Sequence, residues 1–534
     1  MRGFYSAWWL ILLLWFGASH ADKNVLYRFV DNPSDETSHL KEANERLNTA
    51  IKNPEFLLKN WVDLPSSPTT HSTKKLYLSL REAILLALRY NPNIQNAELD
   101  RIVQRYQLRL AYNEFELQYA LAGTALIQKS HYTGAGTATS QGYVATPELD
   151  LKTKWGGQVA LKMDNNVAPI GNYNPLLNLT VTQPLLRGFG FSANEAGLLN
   201  ALDNEWLNKL NLQQSVSDEI TQVIGAYRAL ILSGNNLENQ RRQVIEAKQL
   251  YAINEKKIKA GQLEPTANTQ QSYQIESLNL LVEQAANDFE TAAQDLLQTI
   301  GLDPDMRLAV PSDVTLDKIE IPKLQEAIDQ GLEHNAQYLA LKMLLRADER
   351  AYEVAKNQQL WELDATLNVQ TGVMTGVDNN SSINNGLSNI YNGQNINEAA
   401  GVTLKIPLHD ISRRDQLISA KVRLEKDRLN LQAAKRTLIT TIKNTITSIA
   451  SQVKRYELAK KQVDLATKSY ELQKKKQQAG IASALDVSNT QNQLIQSQVA
   501  LISAKISYLN QISSLQRLLG TTLKAWKINL RYAG

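Results

Sequence analysis

The feature that most constrains this chain is an internal duplication: four signposts occur twice, in the same order. Leu80–Asn91 (LREAILLALRYN) is matched by Leu324–Asn335 (LQEAIDQGLEHN) at an offset of 244. Val181–Leu185 (VTQPL) is matched by Leu404–Leu408 (LKIPL) at an offset of 223. Tyr251–Gly261 is matched by Tyr470–Gly480, and Leu296–Gly301 by Leu515–Gly520, both at 219. An ordered set of matches means two copies of one unit, and that dictates the architecture. The fall from 244 to 223 places 21 extra residues in the first copy, between Asn91 and Pro184. The constant 219 gives both copies the same 40-residue stretch from Gly to Gly.

Each copy reads as strands followed by a long helical hairpin. Ile439, Ile442, Ile446, Ile449, Val453 and Tyr456 step by three and four, as do Ile495, Val499, Ile502, Ile506 and Leu509. That spacing is a coiled-coil seam, narrow enough to leave much of each helix wet. Gly261 and Gly480 stand where the first arm of each hairpin must stop. The stretch from Pro184 to Gly261 spans roughly 100 Å if helical, whereas the 40-residue return arm spans only about 60 Å. The helix before the strands, Asn93 to about Tyr112, is expected to stack end to end on that shorter arm. With only 14 Pro and 25 Gly, the composition also favours few, long elements.

The strand segments alternate. Leu177, Leu179 and Val181 alternate with Asn178, Thr180 and Thr182; Leu363, Ala365, Leu367 and Val369 with Asp364, Thr366 and Asn368; Ala400, Val402, Leu404 and Ile406 with Gly401, Thr403 and Lys405. Tyr119, Leu121, Gly123, Ala125 and Ile127 form a similar series, blurred by Ala120, Ala122 and Leu126. A soluble half-buried sheet and a transmembrane barrel share this pattern. The N-terminus tips the reading toward the barrel. Arg2, an apolar run from Ala7 to Ala18 and small residues before Asp22 describe an export signal over 1–21. That run is too short to span a bilayer, and no later segment is apolar for 18 residues. A sheet edge cannot sit open in lipid, so the barrel must close. Two strands per copy make four per chain, too few to close alone, since known barrels begin at about eight. Two chains would supply eight strands and three would supply twelve.

At this point the sequence resembles the TolC-like outer membrane factor family, the exit ducts of efflux pumps and type I secretion systems. The resemblance rests on Gln183-Pro-Leu-Leu-Arg-Gly-Phe-Gly190, Ile406-Pro-Leu-His-Asp410, Ala479-Gly-Ile-Ala-Ser-Ala-Leu-Asp-Val487 and the two Leu-x-Glu-Ala-Ile helix starts, in order over residues 78–520. It implies a mainly α fold with β: a twelve-stranded outer-membrane barrel closed by a homotrimer, continued by a long α-helical barrel in the periplasm. It also implies a periplasmic adaptor and an inner-membrane transporter of RND, ABC or MFS type as partners. The function implied is a passive conduit, not an enzyme. Pro184 and Pro407, with Arg187 and Gly188, mark the strand-to-helix joins; a proline there removes a donor and ends the ladder.

The expected division is a signal at 1–21 and an N-terminal periplasmic extension at 22–77. Repeat 1 follows at 78–301, with strands within 117–183 and a tip near 261–266. A linker at 302–321 leads to repeat 2 at 322–520, with strands within 363–406 and a tip near 480–486. A tail at 521–534 ends the chain. Because both flanking helices lie on one side of the membrane, each copy must cross an even number of times. Two crossings per copy are expected, with 117–130 and 175–183 forming the pair in the first. Leu151 to Met163 is then expected to be an extracellular extension.

Other motifs weigh little. There is no cysteine, which removes thiolate metal sites, disulfides and a lipoprotein anchor. The six histidines lack metal-ligand spacing, and no cofactor is expected. Lys+Arg of 57 against Asp+Glu of 53 argues against a nucleic-acid binder. Lys256-Lys257 and Lys474-Lys475-Lys476 read as solvated helix face near the tips, with adaptor docking as the sharper alternative. The family resemblance implies an acidic ring at the periplasmic aperture. Asp486 holds the first acidic position, but Asn489 stands at the second. In the first copy Thr266 is retained and Ala267 replaces the acid. The competing role for Asp486 is capping its own helix. The rival functions are a periplasmic adaptor, which has one hairpin, and a periplasmic coiled-coil scaffold.

Overall fold

The structure, a computed structural model, describes residues 76–530 apart from 135, 168–172, 263, 265, 310, 312–320, 373–389, 391–394 and 480. The expected export signal, most of the N-terminal extension, half of the 302–321 linker and Gly480 lie outside the described residues.

Repeat 1 contains β1 (Leu76–Tyr77), α1 (Leu80–Tyr90), α2 (Pro92–Asn113), β2 (Gln118–Tyr132), β3 (Gly136–Lys152), β4 (Gln158–Val167) and β5 (Tyr173–Pro184). A short α3 (Phe191–Asn194) then leads to the hairpin of α4 (Ala196–Lys259) and α5 (Thr266–Ile300). Repeat 2 follows β6 (Leu308–Ala309) with α6 (Leu324–His334), α7 (Ala336–Asn357), β7 (Glu362–Gly372), β8 (Ile396–Lys405), α8 (Ile411–Gln478), α9 (Ala484–Leu518) and α10 (Thr522–Ala525). Among the described residues no helix is long and apolar enough to cross a membrane.

The helices start and stop where their chemistry directs. Ser79 and Glu82 form a reciprocal capping box on α1, each satisfying a backbone N–H of the other. Asn91 caps α2 through its side-chain oxygen and Asn335 caps α7 in the same way. The seam predicted from the sequence is buried at Ile442, Ile449, Ile495, Ile506 and Leu509, and Ile442 and Ile449 form one cluster with Ala327, Leu438, Ile512, Leu515 and Leu519. At about 1.5 Å per residue, the 64-residue α4 and 68-residue α8 are each roughly 100 Å long. Their 35-residue partners α5 and α9 cover only about half of that length.

The missing length is supplied by end-to-end stacking, as expected. The Asn91 side chain, at the start of α2, donates to the Thr299 carbonyl at the end of α5, at 2.7 Å. Asn335 at the start of α7 donates to the Leu518 carbonyl at the end of α9, at 3.2 Å. Gly301 (φ +88) and Gly520 (φ +68) close these joints; a Cβ on Gly301 would lie 2.2 Å from the Tyr90 carbonyl oxygen, and one on Gly520 2.9 Å from that of His334. Both short helices are also tied to α4. Arg101 pairs with Glu205, and Arg350 pairs with Asp203 while donating to Asn200 at 2.8 Å.

The sheet departs from the four strands expected. It has six, all antiparallel, in the order β2-β3-β4-β5-β7-β8. Leu151–Met163 is not an extracellular extension: it forms the end of β3, a turn and the start of β4, with Leu151 opposite Val159 and Leu161 opposite Leu179. The turn at 153–157 lies on the helix side of the sheet, where the Gly190 N–H donates to the Trp155 carbonyl at 3.0 Å. The first copy therefore contributes four strands to the sheet, which keeps the count even. The 21-residue excess understated the insertion, because the second copy carries its own connection between Gly372 and Ile396. A two-stranded parallel sheet, β1 with β6, carried no sequence signal.

Two predictions follow from the helical body. Gly301→Ala is expected to cost more stability than Gly261→Ala, although both need positive φ, because only Gly301 is blocked by backbone. Strain at Gly261 costs about 1–2 kcal/mol, and the clash adds to it at Gly301; urea unfolding of both variants checks the order. The second concerns Asp348 on α7, which is buried against Asp427 on α8. Burial, then the hydrogen bond and charge of Asp427, push Asp348 up to about 6, against the pull of Arg423. Asp427 is held below its usual range by hydrogen bonds with Asp348 and Asn430. A carboxyl whose folded pKa is raised contributes fully below its unfolded value, near 3.8, and loses that contribution as pH rises through about 6. Asp348→Asn is therefore expected to flatten the stability loss between about pH 4 and pH 7, and to gain on the order of 1–2 kcal/mol at the upper end. Denaturation at both pH values measures it.

Candidate functional site

Three places carry the candidate residues: the sheet face, the strand-to-helix joins and the hairpin tips. The pleat sorts side chains by face, and the register shows which residues share one. Leu149, Leu161, Leu179 and Val369 lie side by side across β3, β4, β5 and β7, with Tyr119 beside Leu149 on β2. One pleat along lie Leu151, Val159, Val181, Leu367 and Ala400. The opposite face carries Asp150, Ala160, Thr180, Asn368 and Ala399 in one row, and Glu148, Lys162, Asn178, Gln370 and Asn397 in another. The apolar face is exposed at Tyr119, Leu121, Leu367, Val402 and Leu404. Glu398 interrupts it, three positions from the start of β8 at the end remote from the helices.

At the first join, Pro184 is the last residue of β5, opposite Asp364. The ladder does not stop there. The Leu185 N–H donates to the Leu363 carbonyl at 2.7 Å and the Arg187 N–H to the Trp361 carbonyl at 3.1 Å. Backbone N–H groups alternate sides along a strand, so the donor that Pro184 lacks would point away from β7, where β4 has already given way to its turn. The proline thus costs the sheet no bond. Arg187 pairs with Glu362 at the start of β7. Gly188, at φ +82, donates to Asn357 Oδ1 at 2.7 Å, and its carbonyl accepts from Asn194 at 2.7 Å. Trp155 Nε1 donates to Gln183 Oε1 at 2.9 Å. Sequence reasoning found Pro184, Arg187 and Gly188 but missed Trp155, Asn194, Asn357 and Glu362. Their shared signal is three-dimensional, since they come from four separate elements. At the second join Pro407 is half-buried after β8, and Asp410 accepts from the Arg413 N–H to start α8.

At the tips, Gly261 has φ +69, and the Gln262 N–H reaches back to the Lys257 carbonyl at 2.8 Å. The Ile481 N–H reaches Lys476 at 2.8 Å in the second copy, so both arms end in the same six-residue closure. Thr266 opens α5 and its hydroxyl donates to Glu264 at 3.4 Å. Asp486 forms a capping box on α9: the Ser483 N–H and hydroxyl donate to its carboxylate at 3.0 and 2.7 Å, and its own N–H donates to Ser483 Oγ at 3.1 Å. Those bonds hold the exposed Asp486 carboxyl below its usual range, so it carries a full negative charge at neutral pH. Asn489 is exposed three residues further along α9. Near the tips Lys259 pairs with Glu255 at 2.8 Å, and Lys474 lies 6.0 Å from the Tyr470 ring.

The comparisons agree with this architecture. Residues 327–521 match the model of the outer membrane efflux protein family. No curated protein matches the sequence. Among solved structures, the outer membrane protein VceC from Vibrio cholerae has a TM-score of 0.60 and 18% identity, covering 83% of this chain and 96% of its own. The Campylobacter jejuni CmeC outer membrane channel gives 0.64 and 15%, with 87% and 95% covered. The Neisseria gonorrhoeae MtrE outer membrane channel gives 0.61 and 16%, with 83% and 89% covered. With a β-sheet on one end of a duplicated helical hairpin and these likenesses over most of its length, the chain has the fold of an outer membrane channel, and its second copy matches the outer membrane efflux protein family.

Proposed function

We propose that this protein is the outer membrane exit duct of a tripartite efflux pump or type I secretion system. It is a passive conduit whose helical body stands in the periplasm and receives cargo from an inner-membrane transporter through an adaptor. The observation that carries the reading is a six-stranded sheet with one apolar face and two unpaired edges, β2 and β8. In lipid such edges must be closed, and one chain of six strands is below the smallest known barrels. A homotrimer closes them by setting β8 of one copy against β2 of the next. The helical body supports self-association too. Leu458, Leu465 and Leu472 on α8 are 64%, 66% and 55% exposed at heptad spacing, a seam awaiting another helix. The adaptor alternative is disfavoured by two hairpins and a sheet of this size, and the scaffold alternative by the continuous exposed apolar face. Sucrose-gradient fractionation with cross-linking is expected to return a trimer in the outer membrane; recovery in the inner membrane or the soluble periplasm would falsify the duct.

We extend the proposal to the periplasmic aperture, with Asp486, Asn489 and Thr266 near the axis. One ring of three Asp486 carboxylates would attract cations into a narrow pore. In single-channel recordings Asp486→Asn is expected to lower cation preference and Asn489→Asp to raise it. Ser483→Ala, which loosens the same cap but keeps the charge, is expected to leave selectivity in place. If all three leave selectivity unchanged, Asp486 is a cap alone.

A further inference from the structure

Resting on the duct reading, we propose that the β3–β4 hairpin peculiar to the first repeat is a membrane-embedded part of the barrel wall. One face would meet lipid acyl chains and the other would line the lumen, so that three copies build an eighteen-stranded pore.

The hairpin has three possible places: outside the membrane, folded into the lumen, or in the wall. Its register decides among them. Leu161 lies directly opposite Leu179 on β5, and Leu149 directly opposite Leu161. The hairpin is thus level with the strands that join the two repeats, and its turn at 153–157 lies at the helix side, not the remote side. A strand in the sheet cannot also be a plug, because its ladder bonds are used on both sides: β3 pairs with β2 and β4, and β4 pairs with β3 and β5.

The faces then decide the environment. Leu149, Leu151, Val159, Leu161 and Met163 share the face of Leu177, Leu179, Val181, Leu367 and Val369. The apolar band is therefore continuous through the hairpin, as a lipid-facing band must be. On the other face the hairpin places Glu148 opposite Lys162, with Asp150 one pleat along and Asp164 3.5 Å from Lys162. Charges on that face would be expensive in lipid and are at home in a water-filled lumen. The polar residues that break the band, Glu398 on β8, Asn165 on β4 and Lys129 on β2, sit toward the remote ends of their strands, where a polar side chain can reach the interface. A row across the sheet starts one residue into β2 from the helix side and ends near the remote end of β8. That climb is the stagger of strands tilting to close a barrel. Since barrel diameter grows with strand number, the extra hairpin makes a wider outer opening than four strands per chain would.

The absence of cysteine makes the test direct. Single-cysteine variants in native outer membranes would be exposed to a membrane-impermeant maleimide, then denatured to measure total thiol. The hairpin set is Leu149→Cys and Leu161→Cys for the lipid face, with Glu148→Cys and Lys162→Cys for the lumen. The control set is Leu179→Cys and Val369→Cys against Thr180→Cys and Asn368→Cys on β5 and β7. Both sets are expected to alternate, with lipid-face thiols labelled at least about tenfold more slowly because the thiolate is disfavoured in apolar surroundings. If the controls alternate and all four hairpin sites label quickly, the hairpin is outside the wall and this inference is overturned, while the duct stands. If the controls themselves do not alternate, the membrane barrel fails and the hairpin's place in it fails with it. A variant that does not reach the membrane is replaced by its neighbour on the same face, Val159→Cys for Leu161→Cys or Asp150→Cys for Glu148→Cys.

Discussion

Everything in this molecule depends on the backbone hydrogen bonds of a sheet that has to live without water. Inside lipid an unpaired N–H or C=O costs several kcal/mol, and a strand edge is a row of them. The chain leaves two such rows, on β2 and β8, and has no strand among the described residues to cover either. Association is thus a condition of having this sheet in a membrane, more than an elaboration of it. The same condition sets the direction of the chain. Each repeat enters the sheet from a helix and leaves it into a helix, so strands can be added only in pairs. Four in the first copy and two in the second both satisfy that rule.

The helical part solves a different problem, that of length. A wall roughly 100 Å long is built from α4 and α8, but each is matched by a return helix half as long. Stacking α2 on α5 and α7 on α9 completes two continuous rods without a covalent join. The junction is chemically specific. An asparagine side chain accepts from the first backbone N–H groups of one helix while its amide donates to a late carbonyl of the other. One residue thereby satisfies orphan groups on both helix ends. The positive-φ glycine beside it lets the two ends approach to contact distance. These residues are the repeated signposts themselves, Asn91 and Asn335, Gly301 and Gly520. The duplication is most visible in sequence where its geometry is least forgiving.

That explains what could be read and what could not. The seam of α8 and α9, the caps and the alternating strands β5, β7 and β8 are local patterns, and each was legible because one element's periodicity carries it. The joint residues Asn357, Glu362 and Trp155 were not, because each acts through a partner far away in the chain, and Asn194 was not, because it bonds the backbone of an irregular turn that no periodicity announces. β3 was the harder case. Its remote half, Gly136 to Gly142, is Gly-, Thr- and Ser-rich with no apolar alternation, so it reads as a loop although it pairs residue by residue with β2. Pairing to a neighbour supplied the order that its side chains did not announce. At the tip, Asp486 was legible both as a pore charge and as a cap, and the cap is what its hydrogen bonds show.

The two roles of Asp486 are compatible, and the geometry shows why. A capping-box carboxylate accepts from backbone and hydroxyl donors at the helix start, which fixes its position and keeps it ionised, but Asp486 remains fully exposed while doing so. A carboxylate pinned in place, held below its usual titration range and open to water is better suited to act on passing ions than one on a mobile side chain, because its charge does not wander. The same argument separates it from Asp348, which is buried beside Asp427 and pushed up to about 6, so that its charge changes close to neutrality and is not presented to solvent. Two aspartates on helices of one repeat thus take opposite electrostatic roles. What divides them is exposure and hydrogen-bond donors, not sequence context.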